Sequence, residues 1–214
     1  MAVQLPDHTI GPDSLLRQHL ARCPLVAILR GVLPALVVPV GQVLWDAGFS
    51  IIEVPLNSPS PLRSIALLRQ ALPDALVGAG TVLTVADVHA VKQAGGQLVV
   101  APNCNLQVIR AAVDAGMVCL PGIATPTEAF AALDAGAHGL KIFPAEMVPP
   151  AAVKALRAVL PAGCIILPVG GVGLHNMAAY RQAGADGFGL GSALYRSDMA
   201  LHDIHLNAIN LIAA

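Results

Sequence analysis

The chain has 214 residues, 56% of them apolar and only 12% charged, so it can bury a substantial core and is not a disordered protein. Its formal net charge of −1 gives no electrostatic reason to expect nucleic acid or an acidic membrane surface as a partner. An anionic ligand would need a locally built site.

Met1 to Pro12 read as an N-terminal extension and lack the basic, apolar, small-residue order of a secretory signal, so none is expected. One domain is expected over residues 13–214, because no linker, low-complexity segment or charge block divides it. Residues 13–22 read as a short extra helix capped by Asp13 or Ser14. The mean hydropathy of +0.70 raises a membrane reading, and Leu25 to Trp45, with Arg30 as its only charge, is the strongest stretch. Gly31, Pro34, Pro39 and Gly41 cut it into strand- and turn-sized pieces, so no spanning helix is expected. Fully buried parallel strands also read as continuous apolar runs.

Further along, Ala-Gly ends an amphipathic stretch at Gly48, Gly95, Gly116, Gly136 and Gly184, where glycine accepts the left-handed backbone of a helix end. Between these stops, Leu72-Pro73-Asp74 and Leu160-Pro161-Ala162-Gly163 end two more helices. The strands read Leu25–Leu29, Ile51–Pro55, Leu76–Gly78, Leu98–Ala101, Val118–Leu120, Gly139–Ile142, Ile165–Val169 and Gly187–Leu190. Helices of about ten to fourteen residues lie between them and one follows. Eight strands alternating with eight helices predict a single-domain α/β fold, a (β/α)8 TIM barrel with a short N-terminal helix. A doubly wound open sheet is the alternative.

In a barrel the site lies at the C-terminal ends of the strands. Lys92 and Lys154 fall in helices, whereas Lys141 closes the strand Gly139–Phe143 and would point into the mouth. Burial there would lower its pKa and leave an amine able to attack a carbonyl. The alternative is a buried lysine paired with Glu146 or Glu53. Glu53 sits in the apolar strand Ile51-Ile52-Glu53-Val54, and strands two and six share a barrel layer, so it would face Lys141. That arrangement suits proton transfer in imine chemistry; a plain ion pair is the other reading. Gly170-Gly171 and Gly191-Ser192 follow the last two strands, where barrels hold phosphate on backbone N–H groups, although a tight turn alone also explains a single Gly-Gly.

No metal site is expected, because the seven histidines do not cluster at strand ends, and His202 with His205 reads as one helix face. Gly78-Ala79-Gly80-Thr81 lacks the third glycine of a dinucleotide fingerprint. Cys23, Cys104, Cys119 and Cys164 show no CxxC spacing and read as free thiols, which suits a reducing cytoplasm.

Several motifs stand together: Ala27-Ile28-Leu29-Arg30, Glu53-Val54-Pro55-Leu56-Asn57-Ser58-Pro59, Gly78-Ala79-Gly80-Thr81-Val82-Leu83 and Lys141-Ile142-Phe143-Pro144-Ala145-Glu146. Pro121-Gly122-Ile123, Val169-Gly170-Gly171-Val172 and Leu190-Gly191-Ser192 follow the same order. With them the chain resembles the 2-keto-3-deoxy-6-phosphogluconate and -galactonate aldolases over residues 20–200. The resemblance implies a trimeric (β/α)8 barrel that needs no metal or organic cofactor. It places a Schiff-base lysine at Lys141, a proton-transfer glutamate at Glu53, and phosphate contacts at Gly170, Gly171, Gly191 and Ser192. Contacts to the keto acid would come from Arg30, Thr81 and Pro121. The gluconate branch carries arginine and threonine where this chain has Asn57 and Val169, and both residues resemble the galactonate branch. This leaves Arg30 as the cationic anchor for the substrate carboxylate. The implied reaction is class I aldol cleavage of the galactonate epimer. Cleavage of the gluconate epimer, an epimerase or isomerase, and a non-catalytic phospho-sugar binding barrel are the alternatives.

Overall fold

The computed structural model describes residues 10–214. Helix α1 (Pro12–Arg22) begins from Gly11 with proline in its first turn, and no side chain caps it. The expected cap at Asp13 or Ser14 is therefore two to three residues too late: Pro12 already has the fixed φ of a first helical residue. Asp13 instead accepts from Arg17 Nε one turn on, at 2.9 Å.

Strands and helices then alternate: β1 (Leu25–Ile28), α2 (Pro34–Ala47), β2 (Ile51–Pro55), α3 (Pro61–Ala71), β3 (Leu76–Gly80), α4 (Val85–Gln93), β4 (Leu98–Val100), α5 (Leu106–Asp114) and β5 (Val118–Leu120). The second half holds β6 (Gly122–Ile123), α6 (Pro126–Asp134), β7 (Leu140–Ile142), α7 (Pro150–Val159), β8 (Ile166–Pro168), α8 (Met177–Gln182), β9 (Phe188–Leu190) and α9 (Leu201–Ala213). The Ala-Gly stops act as read: Gly48 closes α2 with φ of 117°, and the other four share a positive φ. Helix α8 has only six residues, shorter than expected. The Asn176 side chain accepts from Gly173 N–H and donates to Gly171 O, which holds the preceding residues in a loop.

All strand pairs are parallel, in a curled six-stranded sheet of order β5-β4-β3-β2-β1-β9 and a three-stranded sheet of order β6-β7-β8. Strand β5 has the bounds expected from the sequence, and the two-residue β6 is an additional piece, set apart from it by Pro121, which has no N–H to give the ladder. Its carbonyl still accepts Lys141 N–H at 2.9 Å, and Cys119 O accepts His138 N–H at 3.1 Å. At the other junction Val169 pairs with Gly189 in a parallel bridge, and Asp186 N–H donates to Ile166 O at 2.9 Å. The two sheets therefore touch at both ends.

Two apolar clusters follow from the alternation of strand side chains. Ala27, Ile52, Val54, Leu140 and Ile142 face the helices in the larger cluster. Val26, Ile51, Leu76, Leu98, Val118 and Leu167 line the concave face, where Leu16 and Leu20 of α1 join them. The same parity turns Glu53, two residues after Ile51, toward the concave side, and Lys141 lies between two residues of the outer cluster. Among the described residues, no helix is long and apolar enough to cross a membrane.

Candidate active site

Glu53 and Lys141 are 2% and 6% exposed, the only charged side chains among the buried residues described. Both line a narrow cleft with Ile28, Val100, Leu120, Leu167 and Val169. Gly80, on the neighbouring strand β3, makes room for the carboxylate: a Cβ built there would stand 1.4 Å from Glu53 Oε2. Glu53 Oε2 has no hydrogen-bond partner. No ion pair within 4.0 Å joins Glu53 or Glu146 to Lys141 among the described residues, so neither pairing reading holds. The Lys141 ammonium position lies 4.6 Å from the Phe143 ring centroid.

Unpaired burial governs the protonation of both groups. Desolvation pushes the Glu53 carboxyl above its ordinary 4.5, against the opposing pull of Lys141 and then Arg30. Desolvation likewise holds the Lys141 amine below its ordinary 10.5; Glu53 works against that shift and Arg30 adds to it. An amine whose charged form is disfavoured is available for nucleophilic attack, with a proton acceptor in the same cleft.

The cleft opens into a cavity of about 360 Å³ that Arg30, Lys141, Val169, Gly170, Gly171, Gly191 and Ser192 line together. Gly170 and Gly171 have φ of 100° and 58°, a backbone that L side chains rarely adopt. Glu146 lies against this pair and not beside Lys141. A Cβ built on Gly170 would meet its Oε2 at 2.6 Å, and one on Gly171 its Cγ at 2.7 Å. Tyr180 holds the turn that carries Glu146, donating to Ala145 O at 2.8 Å.

Besides Glu53, which lines only the narrow cleft, three of the anticipated residues lie outside the cavity lining. Asn57 is one step removed, accepting from Arg30 Nη1 at 2.7 Å. Thr81 follows Gly80 at the end of β3 with φ of 57°, a costly backbone for a β-branched residue. Pro121 is buried and reaches Lys141 only through the backbone bond described above. The cavity also takes in Ile28, Phe143, Val172, Gly189, Tyr195, Arg196 and Ser197, which the sequence reading did not single out. Tyr195 to Ser197 continue the chain from Gly191-Ser192, but no pattern in the sequence marks their return to the cavity. The turn that brings them back is formed by Gly191 O, which accepts the N–H groups of Leu194 and Tyr195, both at 2.9 Å.

A more open cleft of about 540 Å³ adjoins on the far side of Gly171, Ser192 and Arg196, bounded by His175, Asn207 and Asn210. It contains neither Lys141 nor Glu53. Among the described residues, no group of three or more His, Cys, Asp and Glu side chains could hold a metal ion.

The family model for KDPG and KHG aldolases matches residues 16–210. A probable 2-dehydro-3-deoxy-6-phosphogalactonate aldolase of Rhizobium meliloti is 49% identical over 192 residues, 89% of this chain and 91% of the relative. The 2-dehydro-3-deoxy-6-phosphogalactonate aldolase of Escherichia coli is 49% identical over 186 residues, 86% of this chain and 90% of its own. Among solved structures, one described as native KDPGal superposes with a TM-score of 0.88 at 45% identity, covering 90% of this chain and 94% of the other. The chain belongs to the KDPG and KHG aldolase family.

Proposed function

We propose that the chain is a class I aldolase that cleaves 2-dehydro-3-deoxy-6-phospho-D-galactonate to pyruvate and D-glyceraldehyde 3-phosphate. The observation that carries the chemistry is a buried, unpaired Lys141 sharing one cleft with a buried carboxylate oxygen of Glu53 that has no partner. The galactonate substrate rests on Asn57 and Val169 and on the relatives at 49% identity.

In this mechanism the neutral amine of Lys141 attacks the C2 ketone, and loss of water gives an iminium ion. Glu53, directly or through a water, removes the C4 hydroxyl proton. The C3–C4 electron pair flows into the iminium as glyceraldehyde 3-phosphate leaves. Protonation of the enamine at C3 and hydrolysis of the imine release pyruvate and restore Lys141. Arg30, steadied by Asn57, anchors the substrate carboxylate, with Thr81 and Pro121 shaping that end. The phosphate lies on the backbone at Gly170-Gly171 and Gly191-Ser192, and Val169 stands beside C4. No metal or organic cofactor enters these steps.

We further infer that residues 13–214 form one closed (β/α)8 barrel, with residues 1–12 as an extension. The backbone bonds at Pro121 and the Val169–Gly189 bridge support closure. The family resemblance supports a homotrimer, and the free cysteines suit the cytoplasm.

The deciding experiment incubates the protein with both phosphorylated keto acids and assays pyruvate. Faster release from the galactonate epimer supports the reading. Faster release from the gluconate epimer moves the chain to that activity, and no release from either removes the aldolase assignment in favour of an isomerase or a binding barrel.

A further inference from the structure

We infer that Arg196, with Tyr195 as its neighbour in the chain and in the cavity wall, is a side-chain ligand for the substrate's phosphate. The inference rests on the aldolase reading and adds a cation to an otherwise backbone cradle.

The proposed substrate carries a carboxylate and a phosphate, and three cationic side chains line the cavity: Arg30, Lys141 and Arg196. Lys141 must give up its charge to attack. Arg30 is drawn to Asn57 on the β2 side, at 2.7 Å, whereas Gly191 follows β9 on the other flank of β1. Arg196 is the one that remains for a dianion at the glycines. The turn at Gly191, whose carbonyl accepts from Leu194 and Tyr195, returns the chain so that residue 196 lines the same cavity as residue 191.

Both side chains are available. Among the described residues the one ion pair of Arg196 is to Asp198 at 3.4 Å, between side chains 57% and 75% exposed, and such a pair holds a guanidinium weakly. Tyr195 is 5% exposed and lines the cavity, yet its hydroxyl makes no hydrogen bond to the described protein. A guanidinium matches the oxygens of a phosphate in fork geometry, and a phenol adds one donor. Arg196 also bounds the outer cleft.

The test compares wild type, Arg196→Gln, Arg196→Lys and Tyr195→Phe on the phosphorylated keto acid and on its unphosphorylated analogue. For Arg196→Gln the ratio of kcat/KM, phosphorylated over unphosphorylated, should fall about 10- to 100-fold, the worth of a charge-assisted hydrogen bond. Arg196→Lys should recover part of that ratio, and Tyr195→Phe should lower it less. An unchanged ratio in Arg196→Gln overturns the inference. Titration with inorganic phosphate is independent of turnover, and should show tighter binding to wild type than to Arg196→Gln; equal binding also overturns it. If the wild type cleaves neither keto acid, the function proposed above fails, and the phosphate titration alone decides on Arg196.

Discussion

Arg30 donates from Nη1 to Asn57 Oδ1 at 2.7 Å, so the residues two positions after strands β1 and β2 hold each other across the mouth of the site. An arginine fork binds a carboxylate well only when it is aimed. Asn57→Ala should therefore raise KM for the keto acid by about two- to tenfold with little change in kcat, the worth of one hydrogen bond. Steady-state kinetics check this, and an unchanged KM would show that Arg30 needs no such support.

Lys141 is the buried lysine on a strand of the concave face, whereas Lys92 and Lys154 lie on helices α4 and α7. Borohydride reduction in the presence of pyruvate should add the reduced three-carbon unit to the peptide that holds Lys141. Mass spectrometry finding the adduct on Lys92 or Lys154 would overturn the assignment, as would active enzyme without an adduct.

Glu53→Gln should keep that adduct but lower turnover by about 10²–10⁴-fold, the usual worth of general acid–base catalysis. Stability supplies a second readout. A carboxyl whose folded pKa is raised by burial favours folding below its unfolded value near 4.5, and loses that advantage as pH rises through the folded value. The glutamine variant carries no such titration. Denaturant unfolding should show it gaining stability relative to wild type between pH 4 and pH 7. A constant difference would mean that Glu53 titrates alike in both states.

The crowding of Glu146 against Gly170 and Gly171 yields a double-variant prediction. Gly171→Ala puts a Cβ where Glu146 Cγ already stands, 2.7 Å away, on a backbone with φ of 58°. It should lose stability and weaken phosphate binding together. Adding Glu146→Ala should recover part of the thermal stability, because the clash goes, but leave the backbone strain. If the second substitution restores nothing, the glycine is required by its backbone alone.

Val169 lines both the narrow cleft with Glu53 and Lys141 and the wider cavity beyond. It thus stands between the reacting groups and the paired glycines, beside C4 in the proposed pose. Valine discriminates only by shape, worth about 1–3 kcal/mol, so preference for the galactonate epimer should be incomplete. Val169→Thr should shift the kcat/KM ratio toward the gluconate epimer by roughly 0.5–1.5 kcal/mol, one hydrogen bond. An unchanged ratio would remove Val169 from the choice of epimer while leaving the aldolase chemistry intact.

Periodicity made the two buried charges legible. Glu53 follows Ile51 by two in an apolar run, and a strand sends alternate residues to the same face, so its direction is set locally. The helix stops were legible for a similar reason, since Gly48 needs only its own backbone to end α2. The short β6 was not legible, because Gly122-Ile123 is too short to show a strand's alternation and follows a proline that reads as a strand end. Arg196 and Tyr195 stayed hidden because their return depends on a turn around Gly191 O, a matter of geometry and not of pattern. The nearness of Glu146 to the paired glycines is a contact between distant parts of the chain, and no local signal encodes it.

Arg157 on α7 shows where the spacing of the mouth is fixed. Its guanidinium donates to the carbonyls of Cys164 and Gly184 and to the Asp186 carboxylate, which also accepts Ile166 N–H at 2.7 Å. These groups stand at the entries to β8 and β9, the strands whose exits carry Gly170-Gly171 and Gly191-Ser192. Each strand has three residues, a span of only about 10 Å, so a tilt introduced at the entry arrives at the exit with little attenuation. The floor of the molecule thus calibrates its rim: the separation of the two glycine turns is held by a fastening that no substrate touches.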